Sequence, residues 1–264
     1  MIFKTFAFLS YLLRSFHLHG IHSPFVFKLT NEVLRDKSAY YAYEEIEAIR
    51  SKLLLTHKKI NVQDFGEGKH KSQERSISRI CRNSSQRKAF AEIIHRLAIH
   101  SKAEHILELG TSLGITTAYL AKARPQAKII SIEGAPELSK IADINLKKLD
   151  IHNVKLINDQ FKNSLDNALK ELGKIDLVYF DGNHEYEATL NYFESCLKYA
   201  DEQSLFIFDD IHWSASMQKA WNKIKDHPKV QCSIDLFQIG LIYFDPTLTK
   251  QHISVYHSAN FSRT

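Results

Sequence analysis

Residues 105–121 read His105-Ile-Leu-Glu-Leu-Gly-Thr-Ser-Leu-Gly-Ile-Thr-Thr-Ala-Tyr-Leu-Ala121. A short apolar run comes first, a turn with two glycines follows, and the segment from Ile115 onward carries apolar residues at helical spacing. Because glycine permits a turn where a side chain would clash, the pattern predicts a buried strand that leads through a tight turn into a helix.

The same alternation continues beyond this unit. Apolar runs at 128–132, 154–157, 175–180 and 204–208 alternate with helical patterns at 115–124, 136–149, 161–172 and 185–199, and a further helix precedes the unit at 88–100. Strands that alternate with helices of this length predict right-handed βαβ units and a parallel sheet. Continuous apolar strands indicate a sheet covered by helices on both faces.

Two further strand patterns follow a last helix near 217–225. The runs at 229–237 and 240–244 lie too close together for a crossover helix, so they must pair antiparallel. The expected fold is therefore α/β: a doubly wound, mostly parallel seven-stranded sheet with helices on both faces, closed by an antiparallel C-terminal hairpin.

The part of the chain that precedes these elements shows no regular alternation of strands and helices. Residues 1–85 show helical patterns interrupted by Gly20, Pro24 and the loop Asp64-Phe-Gly-Glu-Gly68. We expect two domains: a mainly helical N-terminal extension at 1–85, which covers the substrate pocket or mediates dimerisation, and a cofactor-binding domain at 86–264. The glycine loop is expected to cover the site.

The first 14 residues are strongly apolar, yet they contain no small-residue cleavage site. Their longest uncharged run, 5–13, is about half of what spans a bilayer. We predict an amphipathic helix that packs on the protein body or on a second copy of the chain, with attachment to a membrane surface as the alternative. No transmembrane segment is expected.

The cysteine content and the charge of the chain indicate its cellular compartment and its possible binding partners. The chain has 264 residues and three widely spaced cysteines, Cys81, Cys196 and Cys232, which form neither a disulfide framework nor a thiolate zinc site. This indicates a reducing, cytoplasmic setting. The net charge is +5, but residues 69–88 hold seven basic residues against Glu74 alone, a local charge of +6. Such a run is a solvated helix face or a contact for nucleic acid or an anionic substrate.

Ligands of open α/β sheets bind beyond the carboxyl ends of the strands, so the residues after each strand are the candidates. Gly110 allows the turn after the first strand, and Gly114 allows close approach of a ligand before the helix begins. Glu133, which ends the second strand 23 residues later, can accept hydrogen bonds from both hydroxyls of a ribose. Asp159, after Asn158 at the end of the third strand, can bind an adenine amino group.

These residues carry a resemblance to a known family. Residues 106–121 resemble the first motif of class I S-adenosylmethionine-dependent methyltransferases, in the branch of catechol and caffeoyl-CoA O-methyltransferases. The segment Ser131-Ile-Glu-Gly-Ala-Pro-Glu-Leu138 resembles their ribose-binding segment. The resemblance implies that S-adenosylmethionine binds at Glu108, Gly110, Thr111, Ser112, Gly114, Glu133, Asp159 and Asp181. A dehydrogenase is disfavoured, because Ser112 stands where the middle glycine of a dinucleotide-binding turn belongs.

Acidic residues end the fourth and fifth strands, in the segments Asp181-Gly-Asn-His184 and Asp209-Asp210-Ile-His212. Adjacent parallel strands lie about 4.8 Å apart, so Asp181, Asp209 and Asp210, the carboxylate cluster, should face one another across the cleft. Close carboxylates repel unless a cation lies between them, and their oxygens suit Mg²⁺, Mn²⁺ or Ca²⁺. The alternative is that each aspartate caps the following helix.

The segments resemble those of metal-dependent, macrocin-type O-methyltransferases. This implies that the carboxylate cluster holds a divalent metal, with Mg²⁺ as the first candidate, although Asp210 stands where the catechol-type enzymes have Asn. His184 occupies the place of their catalytic Lys and would act as general base beside Asp181, while His212 is a second candidate.

The expected function is metal-assisted O-methylation of a small hydroxylated molecule, with a homodimer as an open possibility. One alternative is an RNA methyltransferase that uses residues 69–88 to contact the backbone, although no RNA-binding module and no Asn-Pro-Pro-Tyr-type loop is found. The other is a non-catalytic binding protein that retains the fold.

Overall fold

A computed structural model of the chain describes residues 2–64 and 71–261. In the N-terminal region it contains the helices α1 (Ile2–Arg14), α2 (Pro24–Leu29), α3 (Tyr41–Leu54) and α4 (Ile77–Ser84), and the strands β1 (Lys59–Asp64) and β2 (Lys71–Ser76). Most of the glycine loop predicted to cover the site, together with Lys69, lies outside the described residues.

The remaining elements alternate as the sequence predicts. The helices are α5 (Lys88–His100), α6 (Ile115–Ala123), α7 (Pro136–Lys148), α8 (Phe161–Leu172), α9 (Tyr186–Leu197) and α10 (Ala215–Lys225). The strands are β3 (His105–Leu109), β4 (Lys128–Ile132), β5 (Val154–Ile157), β6 (Ile175–Phe180), β7 (Ala200–Asp209), β8 (Cys232–Asp235), β9 (Ile239–Tyr243) and β10 (Gln251–Ser254).

Within the described residues the main sheet has eight strands in the order β10-β8-β9-β7-β6-β3-β4-β5. Strands β3 to β7 are parallel, and β9 pairs antiparallel with both β7 and β8. The doubly wound fold and its antiparallel closure are confirmed. The sheet has one strand more than predicted, because β10 adds parallel to β8 at the edge.

Side chains of each strand alternate between two hydrophobic clusters. Leu107 and Val178 pack with α8 and α9 on one face, whereas Ile106 and Leu177 join the cluster on the other face. All four are fully buried, which is why these strands read as continuous apolar runs. The carboxyl ends of β3, β4, β6 and β7 therefore emerge together from a sheet covered on both sides.

The N-terminal region contains more than helices. Strands β1 and β2 form an antiparallel hairpin, which the sequence did not predict, and the amide of Asn61 in β1 donates to Glu137 at the start of α7. Residues of α2, α3 and α4, among them Val26 and Ile46, are buried in the same cluster as Ile106. This region thus packs directly on the helix layer of the sheet.

Helix α1 presents two apolar faces. Ala7 and Tyr11 are buried beside Phe237, while Leu9 and Leu13 are 52% and 88% exposed. The chain after α1 is fastened to the end of β10, because the Phe16 amide donates to the Ser254 carbonyl at 2.8 Å. No helix in the described part of the chain is long and apolar enough to cross a membrane.

Candidate active site

A cavity of about 1360 Å³ opens beyond the carboxyl ends of the parallel strands. It is lined by Gly110, Glu133, Asp181 and Asp209, which follow or end β3, β4, β6 and β7, and by residues of α1 and of the segment 82–87. Ligand sites of proteins usually measure about 300–1,000 Å³, so this cavity has room for a nucleotide-sized cofactor and a second molecule.

Gly110 is required by the close approach of two strand ends. Its φ is +108°, and a Cβ at this position would collide with the carbonyl of Asp181. The Asp181 amide donates to the Leu109 carbonyl at 2.8 Å, which holds the end of β6 against the turn. The turn glycine therefore brings Asp181 beside the cofactor turn, as any Cβ would push the two apart.

Glu133 is held by backbone donors at the end of β4. Its carboxylate accepts from the Ser112 amide at 2.8 Å and from the Ala135 amide at 2.9 Å. Burial raises the pKa of Glu133, and these backbone hydrogen bonds oppose the increase. A carboxylate has about four acceptor positions, so part of its capacity remains for hydroxyl donors that enter the cavity.

Four residues predicted to bind the cofactor do not line the cavity. Glu108 is fully buried and accepts from Thr117 and Ser131 hydroxyls, and the Thr111 hydroxyl also bonds Ser131. Gly114 allows α6 to pack on α7, since a Cβ there would lie 3.1 Å from Ala142 Cβ. Asp159 faces a separate, smaller pocket and accepts from the amide of Gln160. Packing and local hydrogen bonds account for Thr111, Gly114 and Asp159, whereas Glu108 Oε1 is buried without a hydrogen-bond partner among the described residues.

The carboxylate cluster does come together. Tyr179 Oη lies 3.4 Å from Asp181 Oδ2 and 3.1 Å from Asp209 Oδ2, so one hydroxyl bridges the ends of two strands. Gln238 Nε2 donates to Asp209 at 3.1 Å and to Asp210 at 2.7 Å. Helix capping does not explain these contacts, because Glu185 and Ser214, not the aspartates, are the N-caps of α9 and α10.

Burial and mutual repulsion act on the same groups. Burial, followed by the charges of Asp209 and Asp210, raises the pKa of Asp181 well above its usual range. Burial and the charge of Asp209 raise the pKa of Asp210 to about 6, although His184 and Lys4 oppose this. Ionised carboxylates are therefore disfavoured in the cluster, and a cation bound there would favour the ionised form.

Sequence reasoning missed the side chains that arrange the cluster. Tyr179 lies within β6, and it accepts from the buried Gln86 side chain, whose Nε2 is 3.2 Å away. Gln238 lies in the turn between β8 and β9. The sequence predicted the antiparallel pairing of 229–237 with 240–244, but nothing in it indicated that Gln238, between these runs, or the isolated Tyr179 would contact the acids.

The two candidate histidines occupy different environments. His184 lines the cavity, with Nε2 3.7 Å from Asp181 Oδ1 and 4.0 Å from Asp210 Oδ2. His212 is buried outside the cavity lining, with Nε2 2.8 Å from Asp235 Oδ2 and its ring stacked on Phe237. Access to a ligand in the cavity favours His184.

A comparison with protein families identifies the central part of the chain. Residues 107–211, from β3 past the end of β7, match a family model described as a methyltransferase domain. This part of the chain is therefore similar to known methyltransferase domains. A catechol O-methyltransferase from Mycobacterium tuberculosis is 26% identical over 116 residues, which are 42% of this chain and 49% of that protein.

Solved structures of methyltransferases share the fold of this chain. An O-methyltransferase from Bacillus cereus in complex with SAH has a TM-score of 0.55 at 14% identity, over 82% of this chain and 95% of the other. The O-methyltransferase TomG from Streptomyces achromogenes, in complex with SAM, has a TM-score of 0.58 at 16% identity, over 83% of this chain and 94% of the other. The chain spans about half the length of the curated relatives it matches.

The carboxylate cluster provides donors of the kind that hard divalent cations prefer. Three carboxyl groups from two adjacent strands converge there, and burial together with their mutual repulsion raises the pKa values of Asp181 and Asp210. In the described residues, no group of three or more His, Cys, Asp or Glu side chains has a geometry ready to hold a metal ion. The oxygen atoms of these residues suit Mg²⁺. To bind it, carboxylate oxygens that now accept hydrogen bonds from Gln238 and Tyr179 would have to exchange those bonds for the ion.

Unfavourable backbone conformations concentrate around the cavity. Six residues other than glycine have positive φ in the part of the chain that the structure describes. Four of them line the cavity: Ser112, Asn183, Asp210 and Phe237. Positive φ is costly for residues with a Cβ, most of all for bulky ones, so the surrounding contacts must hold these turns.

Proposed function

We propose that this protein transfers a methyl group from S-adenosylmethionine to a hydroxyl group of a small acceptor. The observation that carries the proposal is the cavity itself, since Glu133 after β4 and Asp181 and His184 after β6 line one space. S-adenosylmethionine supplies an activated methyl group, so the protein has mainly to place the acceptor oxygen in line with it.

The cofactor half of the cavity is assigned to the turn after β3 and the end of β4. Gly110 and Ser112 line the cavity there, and Glu133 would accept hydrogen bonds from the ribose hydroxyls. Its carboxylate is already oriented by the amides of Ser112 and Ala135, so little conformational entropy is lost when a ribose binds.

The acceptor half is assigned to the carboxylate cluster and His184. The His184 imidazole would take the proton of the acceptor hydroxyl, and the carboxylates of Asp181 and Asp210 at 3.7 and 4.0 Å would stabilise the imidazolium formed. Asp181, Asp209 and Asp210 would hold Mg²⁺, whose charge lowers the pKa of a nearby hydroxyl. Activity should therefore depend on a divalent cation.

Residues 1–85 would complete the acceptor pocket as an extension of the methyltransferase domain at 86–264. Phe3, Lys4 and Phe8 of α1 line the cavity, which supports this role. The exposed face of α1, with Leu9 and Leu13, is where a homodimer would form, and light scattering at two protein concentrations would test it. Three buried free cysteines agree with a cytoplasmic site of action.

Calorimetric titration with S-adenosylhomocysteine tests the cofactor assignment. We expect binding in the micromolar range, and we expect Glu133→Ala to weaken it about tenfold or more, because a charge-assisted hydrogen bond is lost. Glu104→Ala is the matched control, since Glu104 is an exposed glutamate at the start of β3, away from the carboxyl ends. No heat with the wild-type protein, or equal affinities of the two variants, would refute the assignment.

A further inference from the structure

The cavity is lined by basic side chains as well as by acids. Four of them come from the N-terminal part of the chain and form what we call the basic wall: Lys4, Arg75, Arg82 and Arg87. Three of the four belong to the basic run at 69–88. This run is therefore more than a solvated helix face, because its arginines line the same space as the carboxylate cluster.

Arg87 is the most informative member of the basic wall. It is half-buried at the N-cap of α5, with its guanidinium 5.0 Å from the centre of the Phe90 ring. Burial lowers the pKa of Arg87, and the charges of Asp209 and Asp210 act in the opposite direction. None of the carboxylates in the described residues lies within the 4.0 Å of an ion pair with Arg87, so those two acids are near but not in contact.

A half-buried guanidinium without a direct anionic partner is free to bind an anionic group that enters the cavity. Arg82, near the end of α4, is exposed to the same cavity and likewise has no ion pair in the described residues. Asp209 and Asp210 act on Arg87 only through space, and a divalent cation bound at the carboxylate cluster would neutralise these acids and leave Arg82 and Arg87 without a nearby negative charge in the described part of the chain. Arginine binds carboxylate and phosphate groups through paired N–H donors, so an anionic ligand would suit both residues.

Apolar side chains complete this part of the cavity. Phe3, Phe8 and Trp213 line it, and Lys4 Nζ lies 4.4 Å from the centre of the Trp213 ring. An aromatic or aliphatic ligand body could pack on these side chains while its charged group reaches the arginines. A long nucleic acid is less suitable, because its phosphates would have to enter the cavity rather than lie along an outer surface.

We propose that the methyl acceptor carries an anionic group, a carboxylate or a phosphate, which Arg87 and Arg82 bind while its hydroxyl lies at His184. This inference rests on the proposed function and deepens it by defining the class of acceptor. Arg87 would fix the distance between the anionic group and the hydroxyl of the acceptor. Arg82 would add to the electrostatic attraction for the anionic group.

The test measures binding, so it does not depend on knowing the natural acceptor. The protein is first saturated with S-adenosylhomocysteine and Mg²⁺, and then titrated with 3,4-dihydroxybenzoate, with catechol monophosphate and with the neutral 3,4-dihydroxybenzyl alcohol. We expect at least one anionic probe to bind about tenfold or more tightly than the neutral one, with a preference that weakens as salt is added. The two anionic probes distinguish carboxylate from phosphate recognition.

Variants then test which residues cause the preference for the anionic probe. Arg87→Gln combined with Arg82→Gln should reduce the affinity for the anionic probe to that for the neutral probe. Arg79→Gln is the matched control, because Arg79 is an exposed arginine on the same helix α4 and does not line the cavity. Equal binding of charged and neutral probes, absence of binding by every probe, or a preference that survives in the double variant would overturn the proposal. Failure of S-adenosylhomocysteine to bind would instead refute the proposed function.

Discussion

The two groups of buried acids in this protein are stabilised in different ways. Glu108 and Glu133 accept hydrogen bonds from neighbouring hydroxyls and amides of the β3 and β4 ends. Asp181, Asp209 and Asp210 face one another instead, and share the donors Tyr179 and Gln238. The glutamates thus have hydrogen-bond donors of their own, whereas the members of the carboxylate cluster raise one another's pKa and would be stabilised by the proposed cation. Acids of the two groups should therefore respond in opposite ways to mutation.

The largest difference is expected between Asp181→Asn and Glu108→Gln. Asp181→Asn removes a proposed cation ligand and a source of repulsion, so Mn²⁺ affinity should fall about 100-fold or more, while stability in EDTA stays constant or rises. Glu108→Gln should keep Mn²⁺ affinity but lose about 1–3 kcal/mol of stability, because its hydroxyl partners Thr117 and Ser131 lose their charged acceptor. Calorimetric Mn²⁺ titration and urea unfolding in EDTA measure the two effects.

The comparison fails if both variants behave alike. Loss of stability with Asp181→Asn and unchanged Mn²⁺ binding would mean that the carboxylate cluster is a structural hydrogen-bond network. In that case His184 would have to act as base without a cation.

A smaller effect is expected in the pH dependence of stability. Burial raises the pKa of Glu108 to about 7 from an ordinary value of 4.5. The folded state then binds more protons than the unfolded state between these values, so the contribution of Glu108 to stability falls as pH rises from about 4.5 to about 7. The upper limit of the change is on the order of 3 kcal/mol. Above pH 7 the contribution should be constant.

Histidine side chains generally titrate in the same pH range, so the effect of Glu108 on stability should be measured as a difference between two proteins. Unfolding free energies of the wild type and of Glu108→Gln should be compared at several pH values, since the histidines are common to both. A wild-type advantage that does not shrink between pH 5 and 7 would show that Glu108 stays ionised in the folded protein.

The smallest effect is expected from Asp159→Ala, which tests whether Asp159 belongs to the cofactor half of the cavity. Asp159 accepts from the Gln160 amide and the Asn163 side chain, and it does not line the large cavity. Its removal should cost about 0.5–1 kcal/mol of stability, as for a lost helix-start contact, and change S-adenosylhomocysteine affinity less than about twofold. A loss of S-adenosylhomocysteine affinity of about tenfold in Asp159→Ala would instead support the predicted role of Asp159 in adenine binding.

The sequence predicted the doubly wound sheet well because its strands are buried on both faces. A run such as Ile175–Phe180 stays apolar along its whole length, and its carboxyl end then defines where the acids must lie. The approach of Asp181, Asp209 and Asp210 followed from parallel strand direction alone.

The parts that were missed depend on distant contacts. Strand β10 has four residues, Gln251-His-Ile-Ser254, with three polar side chains, and it is a strand only because β8 provides its partner. The hairpin β1–β2 is polar along most of its length and pairs outside the main sheet. The inward placement of Arg82 and Arg87 could not be read from a run of charges, because a helix face in solvent has the same composition.

The link between α1 and β10 has a consequence for the order of folding. The Tyr11 hydroxyl donates to the Val255 carbonyl, 244 positions away, and the Phe16 amide donates to the Ser254 carbonyl. During synthesis the residues of α1 therefore emerge long before the strand that fixes them, and contacts of such separation form late. The side of the cavity that α1 provides should be the last to assemble, on a nascent chain whose cofactor half is already folded.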